Sequence, residues 1–148
     1  MPENIRLTAQ ELELIQIFQR SSGATPRDCI IDDGMNRLIF VISKGDMGLA
    51  IGKGGQSIKN VQRHVGRPVE LVEYSDDPKE FIKNSLDPKL VSEVRISEKP
   101  DGKKSATVVV DEKKKGALVG RGGRNAERAR LLAKRYFEIV NVHIVHEQ

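Results

Sequence analysis

Gly48-Leu-Ala-Ile-Gly52-Lys-Gly-Gly55 is the most informative segment of this chain, and it occurs a second time as Gly116-Ala-Leu-Val-Gly120-Arg-Gly-Gly123. The two copies lie 68 positions apart. At this same offset further residues are identical without any gap, namely Asp33 and Asp101, Gly34 and Gly102, Arg67 and Arg135, Glu70 and Glu138, and Val72 and Val140. Similarity at a constant spacing is typical of a duplicated structural unit. The sequence therefore predicts two units of one fold, residues 1–75 and residues 76–148.

The first unit begins with a helix and continues with strands and shorter helices. Thr8-Ala-Gln-Glu11 has the form of a capping box, which predicts a helix over residues 9–20. Ser43 is placed to cap a short helix that ends at Ile51. The remaining predicted elements are strands 29–32, 38–42 and 69–74, and a helix between Gly55 and Gly66.

The second unit repeats this order. Asp77 and Pro78 predict the start of a first helix that is shorter than its counterpart. Asp111 takes the capping position of Ser43, and the short helix that follows ends at Val119. The predicted strands are 91–97, 106–110 and 137–145, and the helix before the last strand places Ala126, Ala129, Ala133 and Tyr136 on one face.

This order of elements predicts the fold class. Three short strands cannot be covered by helices on both faces of their sheet. We therefore expect an α+β fold in each unit, with the helices on one face of a small three-stranded sheet.

The composition excludes several classes of protein. The chain has 148 residues, and it contains neither a long uncharged apolar run nor a basic N-terminus followed by an apolar stretch. We therefore expect no membrane-spanning segment, no secretion and a cytoplasmic location. Cys29 is the single cysteine, which excludes an internal disulfide and a cysteine-based zinc site.

Chemical motifs for catalysis are absent from the sequence as well. His143 and His146 would lie on opposite faces of a strand, which argues against a metal site. No grouping of nucleophile, base and orienting residue lies near either glycine stretch. We expect no enzyme activity, no metal, no cofactor and no small-molecule substrate.

Positive charge is concentrated around the two glycine stretches. Residues 43–67 carry five basic residues and one acidic residue, and residues 113–135 carry nine and one. Lys and Arg side chains that neutralise phosphates release condensed counterions, so this distribution favours a polyanionic partner. A solvated helix face is the alternative explanation for such charge.

The glycine tetrads Gly52–Gly55 and Gly120–Gly123 have the composition of a backbone-binding turn. Glycine allows positive φ and lets a ligand lie against the main chain. The following helix offers N–H groups that favour an anion, and Lys53 and Arg121 add charge within the tetrads. These features favour a phosphodiester backbone as the ligand. A nucleotide fits less well, because the spacing of the glycines departs from both the Walker loop and the dinucleotide-binding motif. A tight turn between two helices, without a ligand, is the structural alternative.

Ile51-Gly52-Lys-Gly-Gly55-Gln-Ser-Ile58 and Val119-Gly120-Arg-Gly-Gly123 resemble the signature of the K-homology (KH) family, Ile-Gly-x-x-Gly followed by an amphipathic helix. Two strands before the glycine loop and one after it resemble the type II form of that fold. The tandem layout is similar to the KH pair of the NusA family of transcription termination and antitermination factors, in particular to its small archaeal form. The resemblance implies a single-stranded RNA-binding protein that acts in transcription elongation or termination.

The resemblance also implies which residues contact RNA. KH modules clamp the backbone of about four nucleotides with the glycine loop, and the bases lie in a groove beside it. The predicted contacts are the loop residues and the polar or basic residues that follow: Gly52, Lys53, Gly54, Gly55, Gln56, Lys59 and Arg63 in the first unit, and Gly120, Arg121, Gly122, Gly123, Arg124 and Arg128 in the second. The predicted groove floor is Leu49, Ile51, Ile58 and Val61 in the first unit, and Ala117, Val119, Ala126 and Ala129 in the second. Core packing explains these apolar residues equally well.

A second hypothesis is a protein-interaction module of the transcription or ribosome machinery, without direct RNA contact through the glycine loops. In this hypothesis the acidic segments contact RNA polymerase or the ribosome. Taking the two hypotheses together, the expected partners are single-stranded RNA and RNA polymerase, and we expect no contact with a membrane.

Overall fold

The computed structural model describes residues 5–147, in which Arg6–Ser75 form one compact unit and the chain from Asp76 onward forms the core of another. The first unit contains α1 (Ala9–Ser22), β1 (Pro26–Asp32), β2 (Arg37–Ile42), α2 (Met47–Ile51), α3 (Gln56–Val65) and β3 (Val69–Glu73). The second unit contains α4 (Pro78–Ser85), β4 (Val91–Glu98), β5 (Lys104–Val110), α5 (Lys115–Val119), α6 (Arg124–Phe137) and β6 (Ile139–His146).

The sheet of the first unit has the strand order β1-β2-β3, so β2 is central. β1 runs antiparallel to β2 and β3 runs parallel to it. All six residues of β2 are buried. Phe40, on one face of β2, packs against Phe18 of α1 with 4.6 Å between ring centroids, and Ala50 of α2 and Val61 of α3 join the same core.

The sheet of the second unit has the equivalent order β4-β5-β6, with the same antiparallel and parallel pairings. Alternate residues of β5 face a core that also contains Ile82 of α4, Leu118 of α5 and Ala129 of α6. The prediction of an α+β fold with helices packed on a small three-stranded sheet in each unit is confirmed. Within residues 5–147, no helix has the length and apolarity needed to cross a membrane.

Local capping explains where α1 and α4 begin and where α3 ends. The Thr8 hydroxyl accepts a hydrogen bond from the Glu11 N–H at 3.1 Å, and the Glu11 carboxylate accepts one from the Thr8 N–H at 2.7 Å. The predicted capping box is therefore present. Asp77 caps α4 with Pro78 in the first turn, and Gly66 ends α3 in the left-handed conformation, as the sequence predicts.

The predicted cap at Ser43 is wrong, whereas that at Asp111 is confirmed. A turn that contains Gly45, with φ of 93°, follows Ser43, so α2 begins only at Met47 with Asp46 as its N-cap residue. The Ser43 carbonyl accepts a hydrogen bond from the Asp46 N–H within this turn. In the second unit the Asp111 carboxylate accepts from the Lys113 N–H at 3.0 Å and caps a single 3-10 turn that leads into α5.

The predicted start of the last strand, at Phe137, is also wrong. Phe137 is the last residue of α6, and β6 begins at Ile139. Phe137 packs edge-on against Phe81 of α4 with 5.8 Å between ring centroids, so its apolar side chain serves the helix layer. The apolar run in the sequence therefore spans two elements, which Glu138 joins with φ of 56°.

A buried ion-pair network connects the strands of the first unit. The Arg37 side chain is fully buried, and its Nε donates to the Asp32 carboxylate at 2.8 Å and its Nη1 to the Glu70 carboxylate at 3.0 Å. Asp32 lies on β1 and Glu70 on β3, so Arg37 on the central strand holds both edge strands. The position equivalent to Arg37 in the second unit is Ser105, so this network belongs to the first unit alone.

We predict that Arg37→Met lowers the free energy of unfolding by about 3 kcal/mol, because it leaves two largely buried carboxylates without their cation. Denaturation with guanidinium chloride measures this change. The control is Arg95→Met, which removes an exposed pair with Glu93. In that pair the hydrogen bond from Arg95 lowers the pKa of the Glu93 carboxyl from its ordinary value. The control should keep the wild-type midpoint, and an equal loss in both variants would contradict the prediction.

Candidate nucleic-acid interface

The two glycine loops have the same backbone conformation. Gly52 and Gly120 have φ/ψ of 76°/169° and 83°/167°, and Gly54 and Gly122 have 62°/21° and 66°/19°. Gly55 and Gly123 are also left-handed, with φ of 77° and 79°. Each loop closes with a hydrogen bond from the N–H of the last glycine to the carbonyl of the first, at 3.0 Å and 3.1 Å. The two sequences therefore build one structure twice.

The first glycine of each loop is packed against the start of the next helix. A Cβ added to Gly52 would lie 2.4 Å from Ser57 Oγ, and a Cβ added to Gly120 would lie 2.9 Å from Asn125 Nδ2. Only a residue without a side chain fits this approach, and only glycine adopts these dihedral angles readily. Ser57 and Asn125 were not among the predicted site residues, because nothing in their sequence spacing indicates that they contact the loops.

The third residue of each loop, Gly54 or Gly122, is open on its outer side. A Cβ added to Gly54 or Gly122 would meet no heavy atom within 4 Å outside its immediate chain neighbours. A ligand can therefore reach the main chain at these two positions. The last glycines, Gly55 and Gly123, are the N-cap residues of α3 and α6, and no side chain caps either helix. The positive end of each helix therefore faces the loop, and neither Gly55 nor Gly123 has a side chain to cap it.

The predicted cations of the first unit lie along the exposed side of this region. Lys53 in the loop and Lys59 and Arg63 on α3 are all exposed. Gln56 is exposed as well, and its amide Nε2 donates to Asn60 Oδ1 on the same helix at 2.9 Å. The structure therefore leaves these four side chains accessible to a ligand.

The predicted cations of the second unit are less uniform. Arg121 in the loop is exposed, whereas Arg124 and Arg128 on α6 are half-buried. The Arg128 Nε donates to the Ser85 carbonyl oxygen at 2.8 Å. Arg128 therefore holds the C-terminal end of α4 against α6, a structural role that its spacing in the sequence does not indicate. Its contact with RNA stays a prediction.

The predicted groove residues separate into three groups by their burial. Val61, Ala126 and Ala129 are buried beneath the helices and belong to the core. Leu49 and Ile51 are 55% and 40% exposed, and Ala117 is exposed too. Ile58 and Val119 are half-buried. The accessible apolar surface beside each loop therefore comes from the short helices α2 and α5, which precede the loops.

The geometry offers an anion site without metal ligands. Across the part of the chain that the structure describes, no group of three or more His, Cys, Asp or Glu side chains is arranged to hold a metal ion. A positively charged loop with open backbone, followed by an uncapped helix, suits a phosphate group.

Comparison with known protein families agrees with this architecture in both units. Residues 14–76 match the family described as "KH domain", and residues 78–147 match "NusA-like second KH domain". The chain is 34% identical over 144 residues to the probable transcription termination protein NusA of Methanocaldococcus jannaschii, and the alignment covers 97% of this chain and 76% of that protein. This chain is also 36% identical over 140 residues to the Halobacterium salinarum protein of the same name. That alignment covers 95% of this chain and 98% of the Halobacterium protein.

This chain belongs to the NusA family.

The NusA-family fold is also present in a solved relative. The crystal structure of the protein named APE1850 matches 94% of this chain and 100% of its own length, with a TM-score of 0.85 and 38% sequence identity. The bacterial NusA of Thermus thermophilus is 38% identical over 84 residues, which are 56% of this chain and 21% of that protein. The predicted resemblance to tandem KH domains of the NusA type is confirmed.

We predict that the glycines of the NusA-type loop differ in their tolerance to alanine. Gly52→Ala should lower the free energy of unfolding by at least about 3 kcal/mol, because its Cβ meets Ser57 and its φ/ψ region admits only glycine. Gly54→Ala should cost about 1 to 2 kcal/mol, since only the left-handed backbone opposes it. Chemical denaturation of the two variants measures the difference.

Gly48→Ala is the matched control for this series. Gly48 lies in α2 without a positive φ, and a Cβ there meets no heavy atom within 4 Å. Alanine at this position should keep the wild-type stability or raise it by up to about 1 kcal/mol. Equal stability losses at Gly48, Gly52 and Gly54 would show that the conformation of the loop does not set its glycine requirement.

Proposed function

We propose that this protein binds single-stranded RNA with both KH units, and that each Gly-x-x-Gly loop clamps the sugar-phosphate backbone. One observation carries the proposal: the same open, left-handed glycine loop is built twice, each time with a cation at its second position and an uncapped helix behind it. A turn that served only to connect two helices would not require two further positive-φ glycines in both copies. Lys53 and Arg121 supply charge where the backbone is accessible.

The physical basis of the clamp is close approach. The open side of Gly54 and Gly122 lets a phosphate contact the main chain, where a side chain would hold it away. The first-turn N–H groups of α3 and α6 then lie at the positive end of a helix dipole. Lys59 and Arg63 continue the positive surface along α3, and Arg124 opens α6. Several phosphates are therefore contacted at once, which gives affinity that weakens steeply with added salt.

The proposal extends to transcription because of the family. Relatives that match nearly the whole chain are named probable transcription termination proteins. We therefore propose that the RNA bound by this chain is the nascent transcript, and that RNA polymerase is the second partner. No catalytic step is part of this function.

We predict that the double substitutions Lys53→Asp with Gly54→Asp, and Arg121→Asp with Gly122→Asp, abolish binding to unstructured RNA when combined. Aspartate tolerates the left-handed conformation better than most residues, so the fold should survive while the carboxylates repel phosphate. Fluorescence anisotropy with a labelled RNA of about 12 nucleotides, long enough for two four-nucleotide footprints, measures affinity. Thermal unfolding checks the fold of each variant.

The chain provides a matched control for this experiment. Lys99→Asp with Gly102→Asp makes the same two changes in the turn between β4 and β5, where Gly102 also has a positive φ of 87° and open space around it. This control should retain RNA binding. Loss of affinity in the control equal to the loss in a loop variant would refute the assignment of the site to the loops.

We further predict a change in termination that depends on the loops. Transcription by the polymerase of the source organism, on a template with a terminator, should give a different fraction of terminated transcript when the protein is added. The loop variants should lose this effect, because RNA contact is required, and the Lys99 and Gly102 control should keep it. An effect that persists in the folded loop variants would favour the protein-interaction hypothesis.

A further inference from the structure

The two loops are alike, but their surroundings differ in apolar surface. Among residues 5–147 the exposed large hydrophobic side chains are Leu12, Leu49, Ile51, Leu131, Val140 and Val145, and two of them immediately precede the first glycine loop. The equivalent positions before the second loop are Ala117 and Val119, which are smaller. Val119 is also half-buried. The larger of the two accessible apolar surfaces that precede the loops is therefore that of the first unit.

The charge differs in the opposite direction. Residues 111–135 carry a net charge of +6, whereas the equivalent residues 43–67 carry +4. Lys113 and Lys114, both exposed, stand where the first unit has Gly45 and Asp46. Arg124, Arg128 and Arg130 of α6 replace neutral residues of α3, but Glu127 and Leu131 replace Lys59 and Arg63. Residues 56–65 and 124–133 therefore carry the same net charge of +2, so the asymmetry beside the loops comes from Lys113 and Lys114.

From this double asymmetry we infer that the two units divide RNA recognition between them. The first unit selects bases by apolar contact through Leu49 and Ile51, and the second unit holds the backbone through charge and reads little sequence. This inference rests on the proposed function, since it assumes that both loops bind the same RNA strand.

Contacts to phosphate and contacts to bases have different effects on specificity. Contacts to phosphate fix the position of a strand but carry no sequence information, whereas contacts to bases discriminate between sequences. An unstacked base presents an apolar face, and exposed apolar side chains can cover it as the base leaves water. The backbone angles of the loops differ by only a few degrees, so the loops themselves do not produce the difference in selectivity.

The experiment compares two sets of variants of the full chain. Leu49→Ala with Ile51→Ala removes the apolar surface, and both positions are exposed in a helix that alanine favours. Lys113→Gln, Lys114→Gln and Arg121→Gln together remove three exposed cations from the second unit. The RNA probes are a sequence of about 12 nucleotides selected by the wild-type protein from a random pool, and a scrambled sequence of the same composition. Anisotropy titrations at several salt concentrations give the affinity for each probe and its salt dependence.

The alanine pair should lower the affinity ratio between selected and scrambled RNA about tenfold, in line with the loss of one base contact. It should leave the salt dependence as in the wild type. The glutamine triple should weaken binding to both probes equally and reduce the slope of log affinity against log salt by about two, because each phosphate contact contributes about 0.7 for a single strand. A reciprocal variant, Leu49→Ala with Ala117→Leu, should recover part of the lost ratio by moving the apolar side chain to the second loop.

Two results overturn the inference without affecting the proposed function. The first is an unchanged affinity ratio between selected and scrambled RNA in a folded variant that carries Leu49→Ala and Ile51→Ala. The second is the loss of this ratio in the variant with three glutamine substitutions while that variant still binds RNA. A wild-type protein that binds neither probe would instead refute the proposed function. Thermal unfolding of each variant separates a loss of contact from a loss of fold.

Discussion

The structure depends on the close approach of a glycine to the first turn of a helix. At Gly52 and Gly120 the main chain lies so near Ser57 and Asn125 that a Cβ would overlap them. This contact, with the extended left-handed backbone at the same residue, directs the chain into the loop and places the next two residues outward. The open glycine and the loop cation are accessible because the first glycine is packed inward. Packing and accessibility in this loop are therefore two consequences of one backbone conformation.

The duplicated units show how the same residues acquire different roles. Glu70 and Glu138 occupy equivalent positions in the sequence. Glu70 lies on β3 and accepts a hydrogen bond from the buried Arg37, whereas Glu138 is exposed and joins α6 to β6 in the left-handed conformation. Since the first unit has an arginine where the second has Ser105, only the first requires the carboxylate in its sheet. A shared residue identity does not imply a shared environment, because the partner across the sheet decides what the residue does.

The short helices before the loops connect the fold with the proposed selectivity. Ala50 and Leu118 anchor α2 and α5 to their cores, so the neighbouring residues point towards solvent. In α2 those neighbours are Leu49 and Ile51, and in α5 they are Ala117 and the half-buried Val119. Each helix has only five residues, so the few side chains that reach the core, among them Met47 in α2, orient the whole element beside its loop. A change of side chain there alters the ligand surface without changing the core.

Four features follow from the amino-acid sequence alone: the duplication, the order of the elements, the capping of α1 and α4, and the identity of the loops. These features depend on local backbone preferences and on spacing, which are visible in a chain without its partners. Other features become visible only in the folded chain: Arg128 holds α4 to α6, Arg37 joins three strands, and some of the apolar residues beside the loops remain accessible. The tertiary structure also moved the start of α2 past Ser43 and assigned Phe137 to a helix. The physical reason is that each of these outcomes is set by contacts between residues distant in sequence or by competing turns, for which the local pattern has no signal.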